Sequence, residues 1–254
     1  MLIVVKDDHS SAWEELARRE PYFALLDDDG KLDVAGNANA TAAFFDAGEE
    51  DVSALLAAIV SLRDRDVSPG RGVSLQRALD FGCGAGRLTL PLARRASQVV
   101  ACDIAPTILE HARRNTEQAG LHNVTFISSE ALTGAGPFDF ICSLLVFEHI
   151  ASAVGYNIIR MLVTLLEPGG VAALHVPLRR HADSLRRLVR LRSLPKNRTR
   201  GVIRQVQRQS LGAERSDYEE RSVRRCIEAA DARLLARLPI HHGQTGGVLI
   251  IEKR

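Results

Sequence analysis

The chain has 254 residues, is 46% hydrophobic, and sets 33 Lys+Arg against 31 Asp+Glu for a formal net charge of +2. That length suits one large α/β domain or one domain with an elaborated end, and the near-neutral balance excludes a chain built as a whole to bind a polyelectrolyte. Cys83, Cys102, Cys142 and Cys226 are too scattered for a metal site or a secreted disulfide framework, and no apolar run reaches the ~20 residues of a bilayer span, so the expectation is a soluble cytoplasmic protein with reduced thiols.

Residues 1–70 read as a helical cap. "SSAWEELARRE" combines a serine cap with acids in the first turn, and a second helix is expected through "GEEDVSALLAAIVSLRDR". "PYFALL" and "ATAAFFDAG" place Tyr22, Phe23, Phe44 and Phe45 where they suit either a core or a lid. "DVSPGRG" then punctuates the chain as a hinge before a body spanning 71–254. In that body the short apolar runs "LQRALDF", "QVVACDI", "NVTFIS", "FDFICSLLV" and "GGVAALHVP" alternate with helix-like stretches, with "LLEPGG" as a helix stop and turn before the fifth run. Strand alternating with helix implies a doubly wound, Rossmann-like parallel sheet covered on both faces. "ARLLARLPIHH" and "GVLIIEKR" are joined by too few residues for a crossover helix, so an antiparallel hairpin closes the sheet at seven strands.

"RALDFGCGAGRLTLPLA" turns the first strand into the first helix of this body. In a doubly wound sheet, ligands lie at the carboxyl ends of the strands, and glycines let a ligand rest on bare main chain. The dinucleotide fingerprint spaces its glycines G-x-G-x-x-G, whereas Gly82, Gly84 and Gly86 read G-x-G-x-G behind Asp80. A carboxylate there repels a pyrophosphate and suits a cation, and S-adenosylmethionine carries both a sulfonium and an ammonium group. Asp103 ends the second strand, placed to accept ribose hydroxyls or to cap the following helix, and Glu130 follows the third strand, placed for an adenine amino group.

Taken together, these residues resemble the class I S-adenosylmethionine-dependent methyltransferases of small-molecule type, including the ubiquinone- and menaquinone-pathway enzymes, over Leu75 to Arg254. The resemblance implies S-adenosyl-L-methionine as donor and S-adenosyl-L-homocysteine as product. It makes Asp80, Gly82, Cys83, Gly84 and Gly86 the methionine-end loop, Asp103 the ribose acid and Ile104 an adenine contact. Ser129, Glu130 and Ala131 would line the adenine edge, with Glu130 where aspartate is more usual and Ser129 where glycine is common. Ser143 and Leu144 would lie under the sulfonium.

A hydroxyl acceptor must lose a proton, and His149 in "VFEHI", just past the fourth strand, is the best-placed base. Its alternative role is to pack the start of the next helix. Glu148 would orient it, while His175, His241 and His242 form no metal set, and no metal is expected. Between Arg179 and Arg208, ten Arg and one Lys face Asp183 alone, a local charge of 11 − 1 = +10 that leaves 2 − 10 = −8 elsewhere. This basic insert, 179–209, carries Leu185, Leu188 and Val189 at helical spacing, with Arg186, Arg187 and Arg190 off that stripe. It is read as a solvated surface or as a cationic face toward an anionic acceptor, an acidic carrier or a membrane surface. RNA ranks last because the insert has no aromatic residue for base stacking. The reading is methyl transfer to a small-molecule acceptor, oxygen before nitrogen. Its alternatives are a carrier-bound or macromolecular acceptor and a catalytically idle binding module.

Overall fold

The computed structural model describes residues 10–22, 38–63, 75–179, 216–239 and 246–254. Most of the basic insert, His241, His242, Phe23 and the "DVSPGRG" punctuation lie outside the described residues. Seven strands form one sheet: β1 (Leu75–Phe81), β2 (Ala96–Asp103), β3 (Val124–Ser128), β4 (Phe138–Ser143), β5 (Leu166–Val176), β6 (Ala232–Leu238) and β7 (Gly247–Lys253). Their order is β3-β2-β1-β4-β5-β7-β6. β1 to β5 pair in parallel, and β7 runs antiparallel to both β5 and β6. The Rossmann-like expectation is met, with one refinement. The terminal strand β7 does not form the edge; it slots between β5 and β6.

The central strands are buried along most of their length, as a sheet covered on both faces requires. One face carries α5 (Ser152–Thr164) and α6 (Glu220–Ala229), whose Ile158, Ile159, Leu162, Val223 and Ile227 pack with Phe138, Ile141 and Leu174. On the other, α2 (Ala38–Arg63) lays Val52, Leu55 and Ile59 on Ala78, Val99 and Phe140. Those three side chains sit at helical spacing, each stabilising the dock by about 1.5–3 kcal/mol. The short α3 (Thr89–Ala93) and α4 (Pro106–Gln118) complete the cover.

Three local expectations are corrected, two in the amino-terminal helices and one at the start of β5. α1 (Ser10–Arg19) has no acid in its first turn, and Ser10 and Ser11 lie inside that turn. α2 starts at Ala38, ten residues before the expected Gly48, because Ala40 and Phe44 find buried partners that extend the helix backward. "LEPGG" forms the first arm of β5, where a register shift against β4 accommodates the turn.

Candidate active site

The strand order reverses between β1 and β4, since β1 sends its crossover to β2 on one side while β4 lies on the other. Ligands of doubly wound sheets bind at such switch points, beyond the carboxyl ends of the strands. The sequence-predicted residues Asp80, Gly82, Cys83, Gly84 and Gly86 leave β1 there, with Ser143 and Leu144 ending β4 beside them.

The three glycines do different work, although all have positive φ. A Cβ on Gly82 would stand 2.4 Å from the Val146 side chain, so Gly82 admits the loop that leaves β4. A Cβ on Gly86 would meet Leu90 at 3.2 Å and Ala112 at 3.6 Å, so Gly86 allows α4 to pack close. Around Gly84, with φ +52, a Cβ would meet nothing within 4 Å. Of the three, Gly84 alone faces open space, the bare main chain on which a ligand can lie.

Hydrogen bonds hold this loop from below. The Gly82 and Cys83 amides donate to the Cys102 carbonyl at 2.8 and 3.0 Å, and the Gly84 amide donates to Asp103 Oδ2 at 3.0 Å. Asp103 Oδ1 accepts from the Ile104 and Ala105 amides at 2.7 and 3.2 Å, ahead of α4, whose cap residue is Ala105. Asp103 is therefore a loop clamp rather than the cap itself. Each carboxylate oxygen has two lone pairs, which leaves Oδ2 room for one more donor. Burial raises the Asp103 carboxyl against these three amides. Asn115, on α4, donates to the Ala85 carbonyl at 2.8 Å and braces the loop from outside. The Cys83 side chain packs with Ala101 and Ala112, and burial pushes its thiol well above the ordinary range, so its main chain is what reaches the site.

Asp80 is 1% exposed; its Oδ2 accepts from the Thr89 hydroxyl at 2.6 Å, while its Oδ1 is buried with no hydrogen-bond partner. Burial pushes its carboxyl up to about 7, although Thr89 and the Arg87 charge pull down, and Asp103 adds to the rise. Ser143 Oγ, on the neighbouring strand, is likewise buried without a partner. Two orphaned polar atoms beside an open glycine fit a polar, cationic ligand at this place. The residues present thus suit the donor that the sequence implies.

The adenine-edge candidates follow β3 in a 3-10 turn, Ser129–Leu132. Asp103 pairs with Ser128 across the ladder, which sets that turn beside the Asp103 carboxylate. Glu130 and Ala131 are exposed and Ser129 half-buried, while Leu132 is buried beneath them.

Beyond β4 the backbone is strained at Leu145, with φ +63, a region that non-glycine residues rarely adopt. A second 3-10 turn, Phe147–His149, follows. Phe147 and Glu148 are buried, and the His149 side chain is 13% exposed with Nε2 3.6 Å from Glu148 Oε1. Two distant segments hold this turn. Trp13 of α1 meets the imidazole edge-on, with centroids 4.9 Å apart. On the far side, the Ser216 amide donates to the Glu148 carbonyl at 3.2 Å and the Tyr218 hydroxyl to the Ile150 carbonyl at 2.7 Å. Sequence reasoning missed Trp13, Glu14, Thr89, Asn115, Val146 and Tyr218. Thr89 stands one helical turn beyond the glycines and Val146 opens "VFEHI", yet neither stretch signals the contact its residue makes. His175 is fully buried in β5, and Tyr22, Phe44 and Phe45 stack edge-on with one another against Ala85 and Ile108. Among the described residues no cluster of His, Cys, Asp and Glu is arranged to hold a metal, and no helix is long and apolar enough to cross a membrane.

Residues 78–170 match the methyltransferase domain family. The ubiquinone biosynthesis O-methyltransferase of Ruegeria pomeroyi is 40% identical over 110 residues, 42% of this chain and 44% of that protein; that of Methylocella silvestris is 40% identical over 109 residues, 42% of each chain. The matches thus span less than half the length of these curated relatives. Among solved structures, magnesium protoporphyrin IX methyltransferase from Synechocystis, with bound S-adenosylhomocysteine, aligns over 96% of this chain and 99% of its own at a TM-score of 0.60 and 17% identity. The N-methyltransferase NodS from Bradyrhizobium japonicum aligns over 94% and 97% at 0.56 and 15%. The matched segment holds the glycine loop, Asp103 and the whole β1-to-β4 switch point, and it is this segment that carries the likeness to the methyltransferase domain family.

Proposed function

We propose that the protein transfers a methyl group from S-adenosylmethionine to an oxygen of a small-molecule acceptor. The observation that carries this reading is the open space over Gly84, flanked by the unpartnered Asp80 Oδ1 and by the Asp103 carboxylate. S-adenosylmethionine, when bound, supplies a methyl group on a cationic sulfur. Asp80 and the bare Gly84 main chain would hold the methionine end, Asp103 Oδ2 the ribose, Ile104 and the 129–131 turn the adenine edge, and Ser143 with Leu144 the floor below the sulfur. Gly82, Cys83 and Gly86 shape that loop through their main chain.

His149 would take the acceptor's proton. The buried Glu148 carboxylate, 3.6 Å away, stabilises the imidazolium that results. Oxygen is favoured over nitrogen by the names of the relatives above. An anionic acceptor is favoured by the +10 charge between Arg179 and Arg208, because the described residues on either side of that stretch, Arg179 and Ser216, bond to Tyr218 and to Glu148 beside the Phe147–His149 turn. The helices of residues 1–70 would then serve as the cap over a body spanning 71–254, with the 179–209 insert on the acceptor side.

Calorimetry with S-adenosylmethionine and S-adenosylhomocysteine tests the donor half. Gly84→Val should abolish measurable binding, and Asp103→Ala should weaken it by about 1–3 kcal/mol. Affinities unchanged in both variants would overturn the site. Methyl transfer from labelled donor to 3,4-dihydroxybenzoate, with 3,4-diaminobenzoate as its nitrogen counterpart, tests the acceptor half. His149→Ala should lower turnover by about 100-fold with donor affinity kept. Label appearing only on nitrogen, or a fully active His149→Ala, would remove the oxygen reading or the base.

A further inference from the structure

We propose that Trp13 is a positioning residue for His149, and that α1 couples the orientation of that imidazole to occupancy of the donor side. This rests on the reading of the donor site and of His149 given above. The inference comes from what a single short segment touches. Glu14 Oε2 accepts from the Thr107 amide at 3.1 Å, and its Oε1 accepts from the Thr107 hydroxyl. Thr107 stands in the first turn of α4, four residues after Asp103, so Glu14 clasps the helix that leaves the ribose-side acid. A carboxylate there also faces the positive end of the helix. Burial, which would raise the Glu14 carboxyl, is outweighed by the Thr107 bonds and Arg18, and the group is held below its usual range. The latch is therefore charged at neutral pH.

One residue earlier, the Trp13 indole stands at 79° to the His149 imidazole. Successive helical residues point about 100° apart, so Trp13 and Glu14 reach two separate elements, the Phe147–His149 turn and the start of α4, from a single turn. Just beyond α1, the Tyr22 hydroxyl donates to Asn115 Oδ1 at 3.1 Å, and the same Asn115 braces the glycine loop. Residues 13–22 thus touch the helix start beside Asp103, the brace of the glycine loop, and the base.

α1 has ten residues, too few to persist as a helix without such contacts. Its hold on Thr107 and its hold on His149 therefore stand or fall together. An imidazole turns easily about its second side-chain torsion. The indole packed against it limits that rotation and so sets the direction in which the ring can accept a proton.

Trp13 is the one tryptophan of the chain, so indole emission reads this contact without a label. Titrating S-adenosylhomocysteine into the full chain should change Trp13 emission with a midpoint equal to the calorimetric Kd. In Glu14→Ala the nucleoside should still bind within about threefold while the emission response is lost. In the ligand-free protein, His149→Leu should change the emission, and Trp13→Leu should remove the ring-current shift on the His149 ring protons that Trp13→Phe partly retains. Binding that leaves Trp13 emission silent overturns the coupling alone. Failure of the wild type to bind the nucleoside overturns the coupling together with the donor site. An unchanged His149 signal in Trp13→Leu overturns the positioning role. A Glu14→Ala protein that keeps the full emission response shows that α1 does not carry the coupling.

Discussion

The two halves of the proposed site, donor and acceptor, are built differently. The donor half is main chain held by main chain: the Gly82, Cys83 and Gly84 amides are fixed by the Cys102 carbonyl and the Asp103 carboxylate, all within 22 residues of sequence. The acceptor half is a three-residue turn held by side chains from far away, Trp13 on one flank and Tyr218 on the other. The first arrangement resists substitution everywhere except at its glycines and acids. The second depends on a few large side chains, each replaceable, and is the half in which a family can change its acceptor while keeping its donor.

Gly155→Val should break the acceptor half most severely. A Cβ at Gly155 would lie 2.0 Å from the Tyr218 hydroxyl, whose ring is fully buried, so the ring must leave its slot. Thermal unfolding should report a loss of about 3 kcal/mol, while S-adenosylhomocysteine affinity at low temperature stays within about threefold. A matching loss of affinity would show that the halves are not separable.

Donor binding should depend on pH through Asp80. Its carboxyl titrates near 7 in the folded chain and near 3.8 when unperturbed, so the neutral form prevails below 7 and the anion above it. For stability the raised value means a contribution that is full below pH 3.8 and lost as pH rises through 7. For a cationic donor the sign is opposite. Affinity should rise by up to ~10-fold between pH 6 and 8, about 1.4 kcal/mol, with a proton released on binding. Asp80→Asn should flatten the profile, and a wild-type profile already flat across this range would place the cation elsewhere.

Tyr218→Phe removes one buried hydrogen bond, to the Ile150 carbonyl, and keeps the ring. A cost near 1 kcal/mol in denaturant unfolding is expected, with turnover affected more than donor affinity. The smallest effect belongs to Glu49, whose carboxylate on α2 pairs with Arg95 and Arg94 beside α3. Arg95 holds it below the usual range, against burial, so its contribution is present at neutral pH and fades on acidification. It is more than a third exposed, and solvent screening should leave Glu49→Gln at a few tenths of a kcal/mol by thermal unfolding.

The contrast also explains what was legible beforehand. Strand and helix alternation reads directly from local apolar runs, and the placement of Asp80, the glycines and Asp103 at the carboxyl ends of neighbouring strands is legible because it is set within one strand-turn-helix-strand unit. The unequal tasks of Gly82, Gly84 and Gly86 were not, because Val146, Leu90 and Ala112 decide them from elsewhere in the fold. Trp13 and His149 are 136 positions apart, and no spacing rule connects an indole in "SSAWEE" with an imidazole in "VFEHI". The early start of α2 escaped for the same reason: alanines and phenylalanines gave no local boundary, and burial chose the helix.

The stub where the basic insert leaves and rejoins the sheet is closed by its own short ladder. The Tyr218 amide donates to the Pro177 carbonyl at 2.8 Å, the Arg179 amide donates to the Tyr218 carbonyl at 2.9 Å, and Leu178 bridges Tyr218 in parallel. Whatever lies between residues 179 and 216 begins and ends at one knot. The knot thus fixes the two points where the described chain leaves, at Arg179, and returns, at Ser216, whatever the length of chain between them, and ties the returning end to the Phe147–His149 turn through the Ser216 amide on the Glu148 carbonyl.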